Sequence, residues 1–143
     1  MKKVFLDTNI LLEVILDRQQ RVACEQILQA GISGQIALYA AYLSFANMAY
    51  VMKKKKMRRE DIYRAERFLN SIINVLPMDG QQLTAALAYE VKDFEDMLQY
   101  QCAENGECDC IVTINSTDFL EFSTMPINTP DELLDSIEET KQQ

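Results

Sequence analysis

The first strand of this chain ends in a carboxylate, and that residue constrains the fold more than any other feature. Residues 2–6 form a short, mostly apolar segment typical of a strand, and Asp7, Thr8 and Asn9 follow it. From Ile10 onward the apolar residues recur at helical spacing. In parallel α/β sheets, ligands bind outside the carboxyl ends of the strands. Asp7 is therefore a candidate site residue before any other motif is considered.

Strand and helix signals alternate along the whole chain. Strands are predicted at residues 2–6, 35–39, 75–77, 108–113 and 126–128, with helices between and after them. Residues 129–132 carry capping-box side chains with proline at the first helical position, which predicts a terminal helix. Such alternation is typical of a mainly parallel sheet covered on both faces. We therefore expect an α/β fold, a three-layer α/β/α sandwich, forming a single domain over residues 1–143.

Two features that the sequence lacks narrow the kinds of catalysis that the chain can perform. The chain has no histidine, which excludes serine–histidine–aspartate triads, imidazole acid–base pairs and most catalytic zinc sites. It also contains neither GxGxxG nor GxxxxGKS/T, the glycine-rich loops that hold nucleotide phosphates. If the protein is an enzyme, we expect carboxylates to carry its chemistry.

Apolar patterning and cysteine spacing give expectations about location. The apolar stretches are too short to cross a bilayer, and Asp7 interrupts any signal-peptide core, so we expect a cytoplasmic protein with no membrane contact. The four cysteines lack CxxC spacing and are predicted to be reduced thiols that bind no zinc. Cys108 and Cys110 lie two residues apart in a predicted strand, so both are expected on one face of the sheet.

Charge is divided unevenly along the chain. Residues 1–79 contain 12 basic and 8 acidic side chains, whereas residues 80–143 contain 2 and 14. Six basic side chains are concentrated in one short segment: Lys53, Lys54, Lys55, Lys56, Arg58 and Arg59. This basic segment is either a solvated helix end or a surface that faces phosphate groups, since local fields rather than net charge steer a ligand.

Two acidic clusters lie in the second half of the chain. Asp93 and Asp96 begin a predicted helix, and Asp118 follows the predicted strand 108–113. Each has a structural explanation, because Asp93 can cap its helix and Asp118 can bond its own turn. Parallel strands end at one edge of the sheet, however, so Asp7, Asp96 and Asp118 are expected to converge there. Converging carboxylates repel one another unless a cation binds them, and Mg²⁺ or Mn²⁺ favours oxygen ligands.

The chain resembles the PIN domains, which include the VapC-type toxin ribonucleases. The resemblance extends over nearly the whole length and rests on four segments in order: VFLDTNILLEVIL, DFEDMLQY, CDCIVTINSTDF and INTPDELL. It implies a metal-dependent ribonuclease that hydrolyses RNA phosphodiesters with Mg²⁺ or Mn²⁺ as cofactor. It also implies a homodimer and a small antitoxin protein that covers the site. The basic segment then becomes a candidate RNA-binding surface.

The resemblance also assigns roles to individual residues. Asp7, Asp96 and Asp118 match acids that bind the metal and carry catalysis, with the Asn115 position as the alternative to Asp118 for the last of them. Small polar residues that match groups supporting these acids are Thr8, Asn9, Thr113 and Asn115.

Two positions depart from the family pattern. Many members carry glutamate where Asn47 stands, and related members often carry arginine where Ile114 stands. Asn47 falls on the apolar face of its predicted helix, so its amide is either a buried core group or a neutral supporting residue of the site. The departures leave open a PIN-like module that binds RNA or protein with weakened or lost catalysis. A haloacid-dehalogenase-type phosphatase is disfavoured, because it requires an aspartate where Asn9 stands.

Overall fold

The computed structural model describes residues 1–142; Gln143, the last residue of the predicted domain, lies outside the described residues. Within residues 1–142, five strands form one sheet: β1 (Lys3–Leu6), β2 (Ala37–Ala41), β3 (Asn74–Leu76), β4 (Cys110–Val112) and β5 (Ile127–Asn128). The helices of the same residues are α1 (Thr8–Ile15), α2 (Arg21–Ile32), α3 (Tyr42–Lys54), α4 (Arg59–Ile72), α5 (Gly80–Leu87), α6 (Phe94–Asn105), α7 (Thr117–Leu120) and α8 (Pro130–Lys141). No helix in residues 1–142 combines the length and apolar composition that crossing a membrane requires.

The sheet has the strand order β3-β2-β1-β4-β5, and every neighbouring pair is parallel. The chain first builds outward from β1 through β2 to β3, and then returns to the other side of β1 to add β4 and β5. In the register of the central pair, Leu6 lies opposite Val112, so β1 and β4 end side by side. The order of the strands therefore reverses between β1 and β4, and a crevice forms at such a switch point in α/β sheets.

Side chains of β1 alternate between two hydrophobic cores. Val4 and Leu6 pack with apolar residues of α1, α2, α3, α4 and α8, whereas Phe5 packs with those of α5, α6 and α7. All three side chains are fully buried, as the period of two in a strand with both faces covered requires. The prediction of a three-layer α/β/α sandwich is confirmed.

The element boundaries differ from the sequence prediction in ways that local physics explains. Helix α1 begins at Thr8, two residues earlier than the apolar pattern indicates, because polar residues fill its first turn. Helix α7 was not predicted, since its four residues are too few to show a helical period. The predicted capping box of α8 is present: Thr129 Oγ1 accepts from the backbone N–H of Glu132, and Glu132 Oε1 accepts from that of Thr129.

Two of the four cysteines occupy opposite faces of the sheet. All four are free and buried. Cys110 lies in the core beside α1 and α2, whereas Cys108 lies in the core beside α6. The expectation of one shared face was wrong, because β4 begins only at Cys110 and Glu107, at a φ of 57°, turns the chain just before Cys108. Burial raises the pKa of both thiols to about 11, so they remain protonated and unreactive at neutral pH.

Candidate active site

The candidate site lies at the switch point, where β1 and β4 end. Asp7 directly follows β1, and its backbone N–H donates to Val112 O over 3.0 Å, which extends the pairing of the two strands by one residue. Thr113 directly follows β4. Strand pairing therefore brings together two residues that lie 106 positions apart in the sequence.

Asp7 is almost completely buried, with a relative exposure of 3%. Its Oδ2 accepts a hydrogen bond from Thr113 Oγ1 over 2.8 Å, and its Oδ1 accepts one from Gln99 Nε2 over 3.0 Å. Burial raises the pKa of Asp7 above 3.8, and the hydrogen bonds from Thr113 and Gln99 partly oppose that rise. Each carboxylate oxygen thus accepts a hydrogen bond from a neutral donor. No basic side chain contributes to the shift in the pKa of Asp7.

Gln99 connects Asp7 to the first turn of α1 and was not predicted from the sequence. Its Oε1 accepts the backbone N–H of Thr8 over 3.2 Å, and Gln99 is only 1% exposed. The Thr8 hydroxyl in turn lies 2.7 Å from Ser44 Oγ at the start of α3, a second contact the sequence did not indicate. The available signal for Gln99 was its place three residues after Asp96, on the same side of α6.

Asp96 lies in the first turn of α6 and is 8% exposed. The helix begins as predicted at an N-cap, because Asp93 Oδ1 accepts the backbone N–H of Asp96 over 3.1 Å. Burial raises the pKa of Asp96 to about 7, assisted by the negative charges of Asp7, Asp93, Asp118 and Glu95. These acids are therefore close enough for their charges to interact, and the carboxyl of Asp96 lies among them.

Asp118 lies in α7, at the end of a short polar loop that leaves β4. Its Oδ2 accepts a hydrogen bond from Asn115 Nδ2 over 2.7 Å, while Asn115 Oδ1 accepts one from Thr117 Oγ1 over 3.0 Å. The backbone N–H of Asn115 donates to Thr113 Oγ1 over 3.1 Å. Because that hydroxyl accepts from Asn115, its own hydrogen is directed to Asp7, and the loop is linked to both acids.

Asn47 is half-buried on α3, and its amide reaches across to α6. Its Nδ2 donates to Glu95 Oε1 over 2.8 Å, so the side chain is a polar contact at the site rather than a core amide. Burial raises the pKa of Glu95, as do the charges of Asp93 and Asp7. The sequence did not single out Glu95. The other departure from the family pattern, Ile114, is partly buried against the core beside α1 and α2.

The remaining predicted residues lie around or away from the acids. The side chain of Asn9 is exposed beside Asp7. Lys53 and Lys54 form the last turn of α3, and all six basic side chains of the basic segment are exposed. Lys54 lies seven residues beyond Asn47, which is about 10 Å further along the helix axis.

The donor chemistry of the site fits a hard divalent cation. Its charged groups are carboxylates, and the ion pairs found within residues 1–142 include none of Asp7, Asp96 and Asp118. Oxygen ligands with uncompensated negative charge are what Mg²⁺ and Mn²⁺ prefer. Within residues 1–142, no three acidic or cysteine side chains lie close enough together to bind one ion. The carboxylate oxygens of Asp7 instead accept from Gln99 and Thr113, and Oδ2 of Asp118 accepts from Asn115.

Comparisons with known proteins agree with the architecture. A family model described as "PIN domain" matches residues 3–117. No curated protein matches the chain in sequence. Among solved structures, VapBC2 from Rickettsia felis, bound to a promoter DNA fragment, superposes with a TM-score of 0.68 at 15% identity over 89% of this chain and 98% of that one.

Two other solved complexes are similar to the chain in fold. VapBC-1 from nontypeable Haemophilus influenzae has a TM-score of 0.66 at 16% identity, covering 90% of this chain and 98% of that one. A toxin–antitoxin complex from Klebsiella pneumoniae has a TM-score of 0.63 at 20% identity, covering 89% and 97%. At such identities the likeness concerns the fold.

Proposed function

The chain belongs to the PIN-domain family, and from that premise we propose that it is a metal-dependent ribonuclease, the toxin of a toxin–antitoxin pair. PIN domains are generally nucleases that use a divalent metal. The observation that carries the proposal is the position of Asp96, a buried acid whose pKa is raised to about 7 by burial and by neighbouring acids that include Asp7 and Asp118. A group of carboxylates that destabilise one another in this way is suited to hold a cation.

We assign Asp7, Asp96 and Asp118 to the metal and to catalysis. When bound at such acids, Mg²⁺ or Mn²⁺ activates water and stabilises the charge that develops on a phosphodiester during in-line attack. The surrounding residues fix the orientation of these acids. Gln99 and Thr113 hold the two oxygens of Asp7, and Asn115 holds one oxygen of Asp118. Donors fixed before the reaction reduce the reorganisation that catalysis requires.

The basic segment is the proposed RNA-binding surface. Lys53, Lys54, Lys55, Lys56, Arg58 and Arg59 would bind backbone phosphates, since each phosphate contact releases a counterion and adds affinity without sequence preference. Aromatic side chains accompany the basic ones on the neighbouring turns: Lys54 Nζ lies 5.4 Å from the ring centre of Tyr50, and the Arg67 guanidinium lies 5.5 Å from that of Tyr63. Exposed aromatic rings beside basic groups are typical of surfaces that bind single-stranded nucleic acid.

We further propose that a small antitoxin protein covers the site and that the nuclease is a homodimer. The antitoxin proposal is supported by the similar structures, which are VapBC and other toxin–antitoxin complexes. The dimer is proposed only on what the resemblance to the family implies. A cytoplasmic location is supported by the four buried free cysteines, because thiols stay reduced in that compartment.

The test is cleavage of a single-stranded RNA by the purified chain in Mg²⁺ or Mn²⁺. EDTA should abolish cleavage, and Asp7→Asn should reduce it by orders of magnitude. Asp135→Asn is the matched control, since it makes the same chemical change at an exposed position on α8. Equal activity of the wild type and Asp7→Asn would identify a contaminating nuclease and refute the proposal.

A second candidate function is a PIN-like module that binds RNA or protein without cleaving it. Asn47 favours it, because an amide brings no charge where many family members have an acid. Binding of RNA that persists in EDTA, together with no cleavage at any metal concentration, would support this alternative over the nuclease.

A further inference from the structure

An apolar face without charge is exposed on α5 and on the turn that follows it. Leu83, Leu87 and Tyr89 each leave about half of their surface exposed. Residues 80–89 contain no charged side chain, although charged residues make up 25% of the chain. We propose that residues 80–89, the α5 face, are the surface on which a second copy of this chain docks. The inference rests on the proposed function, because it assigns an interface to the proposed homodimer.

The orientation of α5 is the reverse of that of an ordinary surface helix. Gln82 and Ala86 are its buried residues, and Ala86 packs in the core beside α6. Leu83 and Leu87, four residues apart on another side of the helix, are exposed. A surface helix normally buries its leucines and exposes its glutamines. Leucines turned away from the core in this way, close in the chain to the exposed ring of Tyr89, are typical of a surface that another molecule covers.

The charge of the protein favours a second copy as that molecule. Each copy has a net charge of −8, and residues 80–143 contain 14 acidic side chains against 2 basic ones. Two copies repel each other wherever acidic surfaces meet, so they can pack closely only through a face that lacks charge. A basic partner would instead gain from the acidic surfaces and would lose that attraction at the α5 face.

A cavity beside the α5 face makes this surface self-complementary. It has a volume of about 380 Å³ and lies between α5, α6 and the segment after α7. Ala88 and Tyr89 of the α5 face line it, together with Met97 and Phe122. A twofold interface sets the same patch of both copies against each other, so each projecting side chain must meet a recess of the same patch. The α5 face has both parts, the exposed Leu87 and the adjacent cavity.

The size of the α5 face indicates a dimer that dissociates on dilution. Leu83, Leu87 and Tyr89 together expose on the order of 300 Å². A stable interface buries roughly 800 Å² on each partner, so these side chains supply its apolar centre and less than half of its area. The two copies are therefore expected to exchange between monomer and dimer at concentrations that can be measured.

The experiment is sedimentation velocity of the full chain over a wide range of concentrations, using the wild type, Leu87→Asp and Val22→Asp. Leu87→Asp places a charge in the interface twice, once from each copy, and should weaken dimerisation by about tenfold or more. Val22→Asp is the matched control, because Val22 is 61% exposed and Leu87 is 62% exposed. Val22 belongs to α2, which packs against the core on the other face of the sheet, so this variant should dimerise like the wild type.

Amide hydrogen exchange locates the contact without any substitution. In the wild type, the amides of residues 80–89 should exchange more slowly at high protein concentration than at low, because docking stabilises the helix and shields it from water. In Leu87→Asp the two concentrations should give the same exchange. Equal melting temperatures of dilute Leu87→Asp and dilute wild type verify that the variant is folded. If the variant melts lower, the exchange of the wild type decides.

The outcomes distinguish this inference from the proposed function. Slower exchange at residues 80–89, together with loss of the dimer in Leu87→Asp, supports the inference. If Leu87→Asp dimerises as strongly as the wild type, or if concentration slows exchange on another surface instead, the α5 face is not the interface and the homodimer stands. If the wild type stays monomeric at every concentration, the homodimer and this inference fail together, which leaves the α5 face to a different protein. Metal-dependent cleavage of RNA is tested independently by Asp7→Asn.

Discussion

The side-chain amide of Gln99 forms hydrogen bonds both to Asp7 and to the start of α1. Its Nε2 donates to Asp7 Oδ1 over 3.0 Å, and its Oε1 accepts the backbone N–H of Thr8 over 3.2 Å. A backbone N–H can only donate, so a flipped amide would place donor against donor at Thr8. The orientation of Gln99, and with it one contact of Asp7, is therefore determined by the first turn of the helix that Asp7 precedes.

Replacing this amide should destabilise the protein. Gln99→Leu leaves a buried carboxylate oxygen and a buried N–H without their partner, which costs about 1–3 kcal/mol. Denaturant unfolding at neutral pH should show this loss, whereas Gln26→Leu at an exposed position of α2 should change stability little. Equal unfolding midpoints for Gln99→Leu and the wild type would contradict the role assigned to the amide.

The hydroxyl of Thr113 should matter more than its methyl group. Thr113→Val removes the donor to Asp7 Oδ2 and the acceptor for Asn115 N–H, and we expect a loss of about 1–3 kcal/mol in the free energy of unfolding. Thr113→Ser keeps the hydroxyl and should lose less. A serine variant less stable than the valine variant would show that packing, not hydrogen bonding, dominates at this position.

The acidic site should make stability fall as the pH rises when metal is absent. The pKa of Asp96 is about 7 in the folded protein and 3.8 ordinarily, so the folded state binds more protons between those values. Stability is therefore lost as the pH rises through about 7. In EDTA, Asp96→Asn should melt above the wild type at pH 8, by about 2–4 °C for a change near 1 kcal/mol, and Asp135→Asn should not. A wild-type melting temperature that rises between pH 5 and pH 8 in EDTA would refute this sign.

Glu66 on α4 provides a second, independent pH dependence. Its Oε1 is buried without a hydrogen-bond partner in residues 1–142, and burial raises the pKa of Glu66 from 4.5 to about 7. Ionised Glu66 should destabilise the folded protein, so the free energy of unfolding should fall as the pH rises through about 7. Glu66→Gln should then be more stable than the wild type at pH 8, by about 1 kcal/mol after allowance for screening, and little changed at pH 4.5. Thermal melts with Glu139→Gln as control test this.

Two glycines should respond in opposite directions to alanine. A Cβ at Gly31, in α2, would overlap Cγ and Cδ1 of Leu38, which is buried in β2; overpacking of this kind costs about 1–3 kcal/mol. A Cβ at Gly80, the first residue of α5, meets nothing within 4 Å. Gly80→Ala should stabilise by about 0.4–1 kcal/mol through the unfolded state. Unfolding measurements that give both variants the same sign would contradict the close packing of α2 on β2.

The fold was predictable because its signals are local. Apolar runs bounded by polar residues mark the buried strands, and a capping box marks α8 even though the neighbouring β5 has only two residues. Asp7 and Asn115 could be placed past the ends of two neighbouring strands because parallel strands end together. The assignment of Asp7, Asp96 and Asp118 to metal binding remains a prediction.

The partners of these acids could not be predicted from the same signals. The contacts of Gln99, Ser44 and Glu95 depend on how α6 and α3 dock against the sheet, which no local pattern encodes. Cys108 was misplaced for a related reason: alternation holds only inside a strand, and the turn at Glu107 precedes β4. Tertiary packing, rather than propensity, decides these positions.

The strand order has a consequence for how the protein is made. β1 is translated before the other four strands of its sheet, yet it occupies the centre of the sheet, and its neighbour β4 is translated about a hundred residues later. Asp7 is thus synthesised long before Gln99 and Thr113, the two side chains that hold its oxygens. A nascent chain that stops before α6 contains the first acid without its donors. The site can therefore assemble only after the segment through Thr113, about a hundred residues beyond Asp7, has been translated.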